Sequence, residues 1–222
     1  PNSIEDIKDL IGKIIDTPTG NDYIEMRAKG FEEISPQRKY HGISTQIIAQ
    51  IKNVRVPFNI DIGMGDIIFP RAEERTINTQ LPDFETPVIR TYSLESTIAE
   101  KFDAILQRFE LTGRMKDFYD IYYLSRTFNF DGERLQSAIF NTLQRRGTPY
   151  DRDSFKRVVS LADDEDMQKR WKYFLKTIKD DTLEFPLIIA EIQTFLEPVF
   201  DAIVNENEWQ EQWNSKNSLW MV

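Results

Sequence analysis

Apolar residues at positions 4, 7, 10, 11, 14 and 15 recur with helical spacing, which predicts an amphipathic helix over Ile4–Ile15. The run Thr17-Pro18-Thr19-Gly20-Asn21-Asp22 stops it. The period then shortens. Residues 23–26 and 31–34 read as two short strands forming a ribbon around Gly30. Over residues 42–51, Ile43, Thr45, Ile47, Ala49 and Ile51 share one face, while Ser44, Gln46 and Gln50 share the other. Asn53 supplies a turn, and residues 56–64 alternate most clearly of all. Val56, Phe58, Ile60, Ile62 and Met64 point one way; Asp61 stands on the polar face between Asn59 and Gly63, ahead of Gly65 and Asp66.

Pro70, Pro82 and Pro87 fall in a stretch of mixed polarity, which predicts an irregular connector over 70–91 and a boundary within it. The remainder is helical in pattern. Helices are expected near 94–110, 115–126, 131–146, 152–161, 164–180 and 185–206, with Asp131, Asp151 and Asp163 as N-caps and Pro186 in a first turn. Residues 209–220 hold three of the four tryptophans and are expected to dock on the core. The fold class is therefore α+β: a sheet domain over 1–91, then a helical domain over 92–222.

Composition narrows the function. The 222 residues suffice for a sizeable core, and 40% hydrophobic with 29% charged content is ordinary for a globular chain. The absence of cysteine removes disulfides and thiolate metal sites and suits a cytoplasmic setting. No run of about 18 apolar residues exists to span a membrane as a helix. A net charge of −9 argues against broad, non-specific nucleic-acid binding but leaves room for a local basic patch. Arg71/Arg75, Arg108/Arg114/Lys116, Arg145/Arg146 and Lys169/Arg170/Lys172 are the candidates, and a solvated face is the plain account of each. His41, the only histidine, cannot build a zinc site by itself. No G-x-S-x-G elbow, P-loop or G-x-G-x-x-G is present.

Two charges interrupt the apolar stripes of the helical half. On the first of its helices Leu94, Ile98, Phe102, Ile105 and Phe109 form a stripe, with Lys101 at its edge and Glu100 pointing away. A lysine stem lying along apolar surface explains that position structurally. On the next helix Asp117 falls within the apolar face defined by Ile121 and Leu124, and Asp120 is less embedded. An aspartate in a first turn is favoured by the helix dipole, but a buried carboxylate needs a partner, and Lys101 or Arg114 is available. Asp61 is a candidate oxygen ligand for a hard cation such as Mg²⁺.

Three segments together carry a resemblance: Phe58-Asn-Ile-Asp-Ile-Gly-Met-Gly-Asp66, Tyr92-Ser-Leu-Glu-Ser-Thr-Ile-Ala-Glu-Lys101 and Arg114-Met-Lys-Asp-Phe-Tyr-Asp-Ile-Tyr122. In order and spacing they resemble the AbiEii/AbiGii nucleotidyltransferases, toxins of abortive-infection type IV toxin–antitoxin systems, over about residues 1–215. The resemblance implies a polymerase-β-like nucleotidyltransferase sheet followed by helices. It implies Mg²⁺-dependent transfer of a nucleoside monophosphate from an NTP to an acceptor, in some members the 3′ end of tRNA. It also implies a winged-helix antitoxin partner. Asp61, Lys101 and Asp117 match the catalytic positions, with Asp61 on the metal, and Arg114, Lys116 and Asp120 are expected at the substrate.

The family's first motif, a Gly-Ser or Gly-Gly turn followed by Asp-x-Asp, is not found, and Pro1-Asn2-Ser3 resembles the residues just after it. Two-metal transfer needs carboxylates holding both ions. The 222 residues alone are therefore expected to lack activity, with a longer protein supplying the pair. The competing expectation is a non-catalytic acidic module that binds a basic protein partner, with Lys101 and Asp117 a structural ion pair.

Overall fold

The computed structural model describes residues 3–18, 23–34, 42–63, 71–80, 83–180 and 182–222. The expectations for His41, for Met64 to Asp66 and for Pro70 and Pro82 lie outside them. The chain is α+β and divides into two compact units, Pro1–Asp66 and Ile67–Val222.

In the first unit, helix α1 (Ile4–Ile15) opens on a capping box: Ser3 Oγ accepts from the Asp6 amide and the Asp6 carboxylate accepts from the Ser3 amide. Strands β1 (Glu25–Ile34), β2 (Gly42–Ile51) and β3 (Val54–Gly63) form an antiparallel sheet in the order β1-β2-β3. The ribbon expected from residues 23–26 and 31–34 is instead one continuous strand paired with β2. A register shift between Ala28 and Gly30 absorbs the broken alternation. Lys52, at φ 50°, and Asn53 make the two-residue turn into β3.

Ile7 and Ile11 of α1 bury against Ile43 and Ile47 of β2, each contributing about 1.5–3 kcal/mol of burial. Thr45 shares that apolar face and satisfies its hydroxyl by donating to the Gly30 carbonyl at 2.8 Å. The opposite face carries Ser44, Gln46, Asn59 and Asp61 in adjacent register.

In the second unit, the stretch expected as an irregular connector contains a two-stranded ribbon, β4 (Glu73–Thr76) and β5 (Val88–Thr91). Six helices then follow the predicted pattern closely among the described residues: α2 (Leu94–Arg108), α3 (Met115–Thr127), α4 (Gly132–Arg146), α5 (Ser154–Ser160), α6 (Glu165–Ile178) and α7 (Phe185–Val204). Asp131 caps α4 as expected, but Asp153 and Asp164 stand at the N-cap positions of α5 and α6, not Asp151 and Asp163. Helix α2 stops at Arg108. Phe109 adopts φ 44° and begins a short 3-10 turn, so it leaves the α2 stripe while still packing on the core.

Helix α7 is the hub of this unit. It buries Ile188, Ile192, Phe195, Leu196, Val199 and Phe200 on more than one side, as expected of a helix enclosed by its neighbours. The tryptophan-rich tail docks on it as predicted, and does so as a small sheet. Strands β6 (Phe130–Asp131), β7 (Gln212–Asn214) and β8 (Leu219–Met221) pair in that order. Trp213 Nε1 donates to the Ser125 carbonyl at 2.7 Å and Trp220 Nε1 to the Phe195 carbonyl at 3.0 Å.

Candidate functional site

Helix α2 is set by its cap and its core residues. Ser93 Oγ accepts from the Ser96 amide, and Ile98, Phe102 and Ile105 bury completely or nearly so. Lys101, one residue from Phe102, is thereby carried to the α3 side. Helix α3 buries Met115, Phe118 and Ile121, which drags the adjacent Asp117 inward. The Lys101 side chain is 18% exposed and that of Asp117 only 4%.

Five charged side chains meet there. Lys101 Nζ lies 2.6 Å from Asp120 Oδ2 and donates to Asp117 Oδ1 at 3.4 Å. Arg114 Nη2 donates to Asp117 Oδ1 at 3.2 Å. Asp117 Oδ2 lies 2.6 Å from Arg114 Nε but off the donor axis, so it is a buried oxygen with electrostatic contact and no hydrogen bond. Lys116 Nζ reaches Asp120 Oδ2 at 2.5 Å. Three cations face two carboxylates, leaving one positive charge in excess on a chain whose net charge is −9.

Lys101 is thus anchored by carboxylates, and the purely snorkelling account does not hold. Asp120, expected to be the less embedded partner, makes the shorter contact. A helical wheel fixes angles about α3 but not where α2 crosses it.

Asp61 belongs to the other unit. It is exposed on the polar face of β3, and its Oδ1 accepts from Ser44 Oγ at 2.6 Å. Beside it a concavity of about 270 Å³ is lined by Lys29, Gly30, Glu32, Ser44, Gln46 and Asn59.

The fit of these residues to a divalent cation is limited. Among the described residues no three His, Cys, Asp or Glu side chains gather as a metal-binding group. The Asp-x-Asp sequences that do occur are occupied at helix starts. Asp151 accepts from the Asp153 amide and the Ser154 hydroxyl, and Asp164 accepts from the Met167 amide. The described residues do not compose a two-ion site, and no step below is routed through one.

A second buried cluster had escaped the sequence reading. Asp103, fully buried, accepts from Gln107 Nε2 at 2.9 Å, from the Thr148 hydroxyl and from Arg146 Nη1 at 3.1 Å; Arg146 also pairs with Glu100. Burial pushes the Asp103 carboxyl above its usual range, while the Thr148 and Gln107 hydrogen bonds pull it back. Arg146, expected on a solvated face, is instead the pin between α2 and the end of α4. The available signal was the row Glu100, Asp103, Gln107 at helical spacing on the side of α2 away from Lys101.

A lysine held by carboxylates on packed helices and a separate polar sheet face bearing an aspartate thus stand in a protein of the α+β class. The sequence profile described as "Nucleotidyl transferase AbiEii toxin, Type IV TA system" matches residues 1–213, and the chain belongs to that family. A search of curated proteins returns no match. Family membership carries nucleotidyltransferase activity as the general function and an antitoxin as the partner. Among the described residues no helix is long and apolar enough to cross a membrane.

Proposed function

We propose that this protein transfers a nucleoside monophosphate from an NTP to the 3′ end of an RNA, tRNA being the first acceptor to test, and that Lys101 is the group that meets the triphosphate. The observation that carries the proposal is a lysine held by carboxylates in a partly buried setting, with the exposed Arg114 and Lys116 adding positive charge beside it. Asp117, almost fully buried and held by Arg114, is the fixed anchor. Asp120 is the exchangeable one: its carboxylate is more exposed and shared between Lys101 and Lys116. A phosphate oxygen replacing Asp120 at Lys101 keeps the lysine paired and needs no new conformation of α2. Negative charge growing on the transferring phosphates is then stabilised by a cation already in position.

Asp61 serves on the acceptor side, accepting a hydroxyl proton, and Mg²⁺ is the expected cofactor. A winged-helix antitoxin and a cytoplasmic setting complete the reading. The test incubates the gene-encoded protein with labelled NTPs, Mg²⁺ and total tRNA. Loss of label transfer in both Asp61→Ala and Lys101→Ala supports these roles, and transfer that survives both substitutions refutes them.

A further inference from the structure

The polar face of the β1-β2-β3 sheet is laid out in cross-strand pairs, and its two ends differ. Near the β2–β3 turn, Gln50 stands opposite Arg55 and the pair is satisfied. Arg55 Nε donates to Gln50 Oε1 at 3.2 Å, and Gln50 Nε2 donates to the Lys52 carbonyl at 3.0 Å. At the other end Ser44 stands opposite Asp61 and holds it, and the neighbouring pair on that face is Gln46 opposite Asn59. Neither of those carboxamides has a hydrogen-bond partner among the described residues. Side chains directly opposite are about 5 Å apart and successive pairs on one face about 7 Å apart. Gln46, Asn59 and Asp61 therefore fit within the span of a single nucleotide.

The third strand keeps that patch open. Gly30 of β1 stands opposite Gln46 on the same face, inside a strand, where glycine is unfavourable. The usual reasons for glycine do not apply. Its φ is not in the left-handed region, and a Cβ added there would meet no heavy atom within 4 Å. The bulge beside it inserts Lys29 and asks no special conformation of Gly30. A strand glycine of this kind marks a place where a ligand comes close to the backbone. The space above it is the concavity of about 270 Å³ lined also by Gln46 and Asn59. Lys29 and Glu32 bring one charge of each sign to its lining. That balance disfavours a phosphate or a metal ion and suits a neutral ligand carrying both donors and acceptors.

We infer that the concavity over Gly30 holds the terminal nucleobase of the acceptor, an adenine, and that Gln46 and Asn59 are the residues that read it. A carboxamide presents one acceptor and a donor group and pairs bidentately with adenine N6 and N7. An edge read in this way belongs to an unpaired base, so the ligand is a single-stranded end. A base seated over Gly30 leaves its ribose beside Asp61, the group assigned to the acceptor hydroxyl. That last placement rests on the transferase reading; the base site does not. The base of the incoming NTP is the other source of the same chemistry, and the two are separated below.

The experiment measures fluorescence anisotropy of short single-stranded RNAs that differ only in their 3′ base, with the gene-encoded protein and no NTP. It compares wild type, Gln46→Met/Asn59→Leu, Gly30→Val and, as a control on the satisfied end of the same face, Gln50→Met. The wild type binds RNA ending in A about tenfold more tightly than RNA ending in any other base. The amide variant loses that ratio, and so does Gly30→Val, whose side chain fills the concavity. Gln50→Met keeps it. Thermal melts accompany each protein, and Gly30→Val melts no lower than wild type because its Cβ has open space. Gly30→Val therefore carries the test where the amide variant fails to fold. In the transfer assay the amide variant raises KM for RNA ending in A about tenfold, the same loss read kinetically.

A wild type indifferent to the terminal base, or a preference that Gly30→Val retains, overturns the base site, and transfer to RNA then stands on its own. Variants that change which NTP is used while keeping the terminal-base preference overturn the assignment to the acceptor. Discrimination lost in the variants of a protein that transfers no nucleotide supports the base site and removes the transferase reading.

Discussion

Replacing Lys101 and Asp117 together, with Met and Leu, separates a catalytic pair from a structural one. Each single change strands part of the cluster. Asp117→Leu leaves Lys101 with Asp120 at 2.6 Å and leaves Arg114, whose side chain is 54% exposed, free to hydrate. Lys101→Met leaves Asp117 with Arg114 and Asp120 with Lys116. Removing one member of a fully buried pair costs about 3–5 kcal/mol. The surviving partners and the 18% exposure of Lys101 lower that to about 1–2 kcal/mol for either single variant, roughly one charge-assisted hydrogen bond. The double variant exchanges the pair for apolar side chains of similar volume and returns to within about 1 kcal/mol of wild type. Urea denaturation measures all four corners of the cycle. Nucleotidyl transfer should behave differently. If Lys101 stabilises charge on the transferring phosphates, both variants that lack it, Lys101→Met and the stable double variant, lose about 10²–10³ in kcat. A double variant that regains both stability and transfer refutes the reasoning and leaves a structural ion pair.

Other expectations concern the scaffold. Burial raises the Asp103 pKa in the folded state above its ordinary 3.8, so the folded protein holds that proton more tightly than the unfolded chain. The Asp103 contribution to stability is therefore fully present below about pH 3.8 and is lost as pH rises through the folded value. Asp103→Asn should remove that decline, seen as a wild-type-minus-variant stability difference that falls with pH in urea titrations; a pH-independent difference contradicts it. Gly132→Ala should destabilise by about 1–3 kcal/mol, because its Cβ would lie 2.6 Å from Trp209 Cδ1 and closer still to the Glu211 carbonyl oxygen; an unchanged thermal midpoint would show that this turn yields. Trp213→Phe should cost at least about 1–3 kcal/mol by leaving the buried Ser125 carbonyl without its donor, measurable by the same denaturation.

Much of the helical half was legible because several helices carry their own punctuation. Asp131 and Pro186 open helices by local chemistry, and the 3.6-residue period needs no distant partner. The sheet was less so. β1 looked like two pieces because the bulge at Ala28–Gly30 breaks a period-2 pattern that pairing with β2 then bridges. Strands β4 to β8 span four residues or fewer, too short for any period to emerge. Lys101 and Asp117 stood out as charges in apolar stripes, and the structure brings them together. That Asp120 makes the closer contact, and that Asp103 and Arg146 meet inside, depend on helix crossings that no single helix encodes. Asp61 was read correctly as a polar-face residue of a strand, and Ser44 became its partner only through cross-strand register.

The most direct measurement compares the two ends of the triphosphate. The gene-encoded protein is incubated with RNA and NTP labelled at either the α- or the γ-phosphate, alongside Lys101→Ala. The account predicts RNA-bound label from the α-position alone, and its loss in the variant. Label arriving from the γ-position, or α-label transfer indifferent to Lys101, would contradict it.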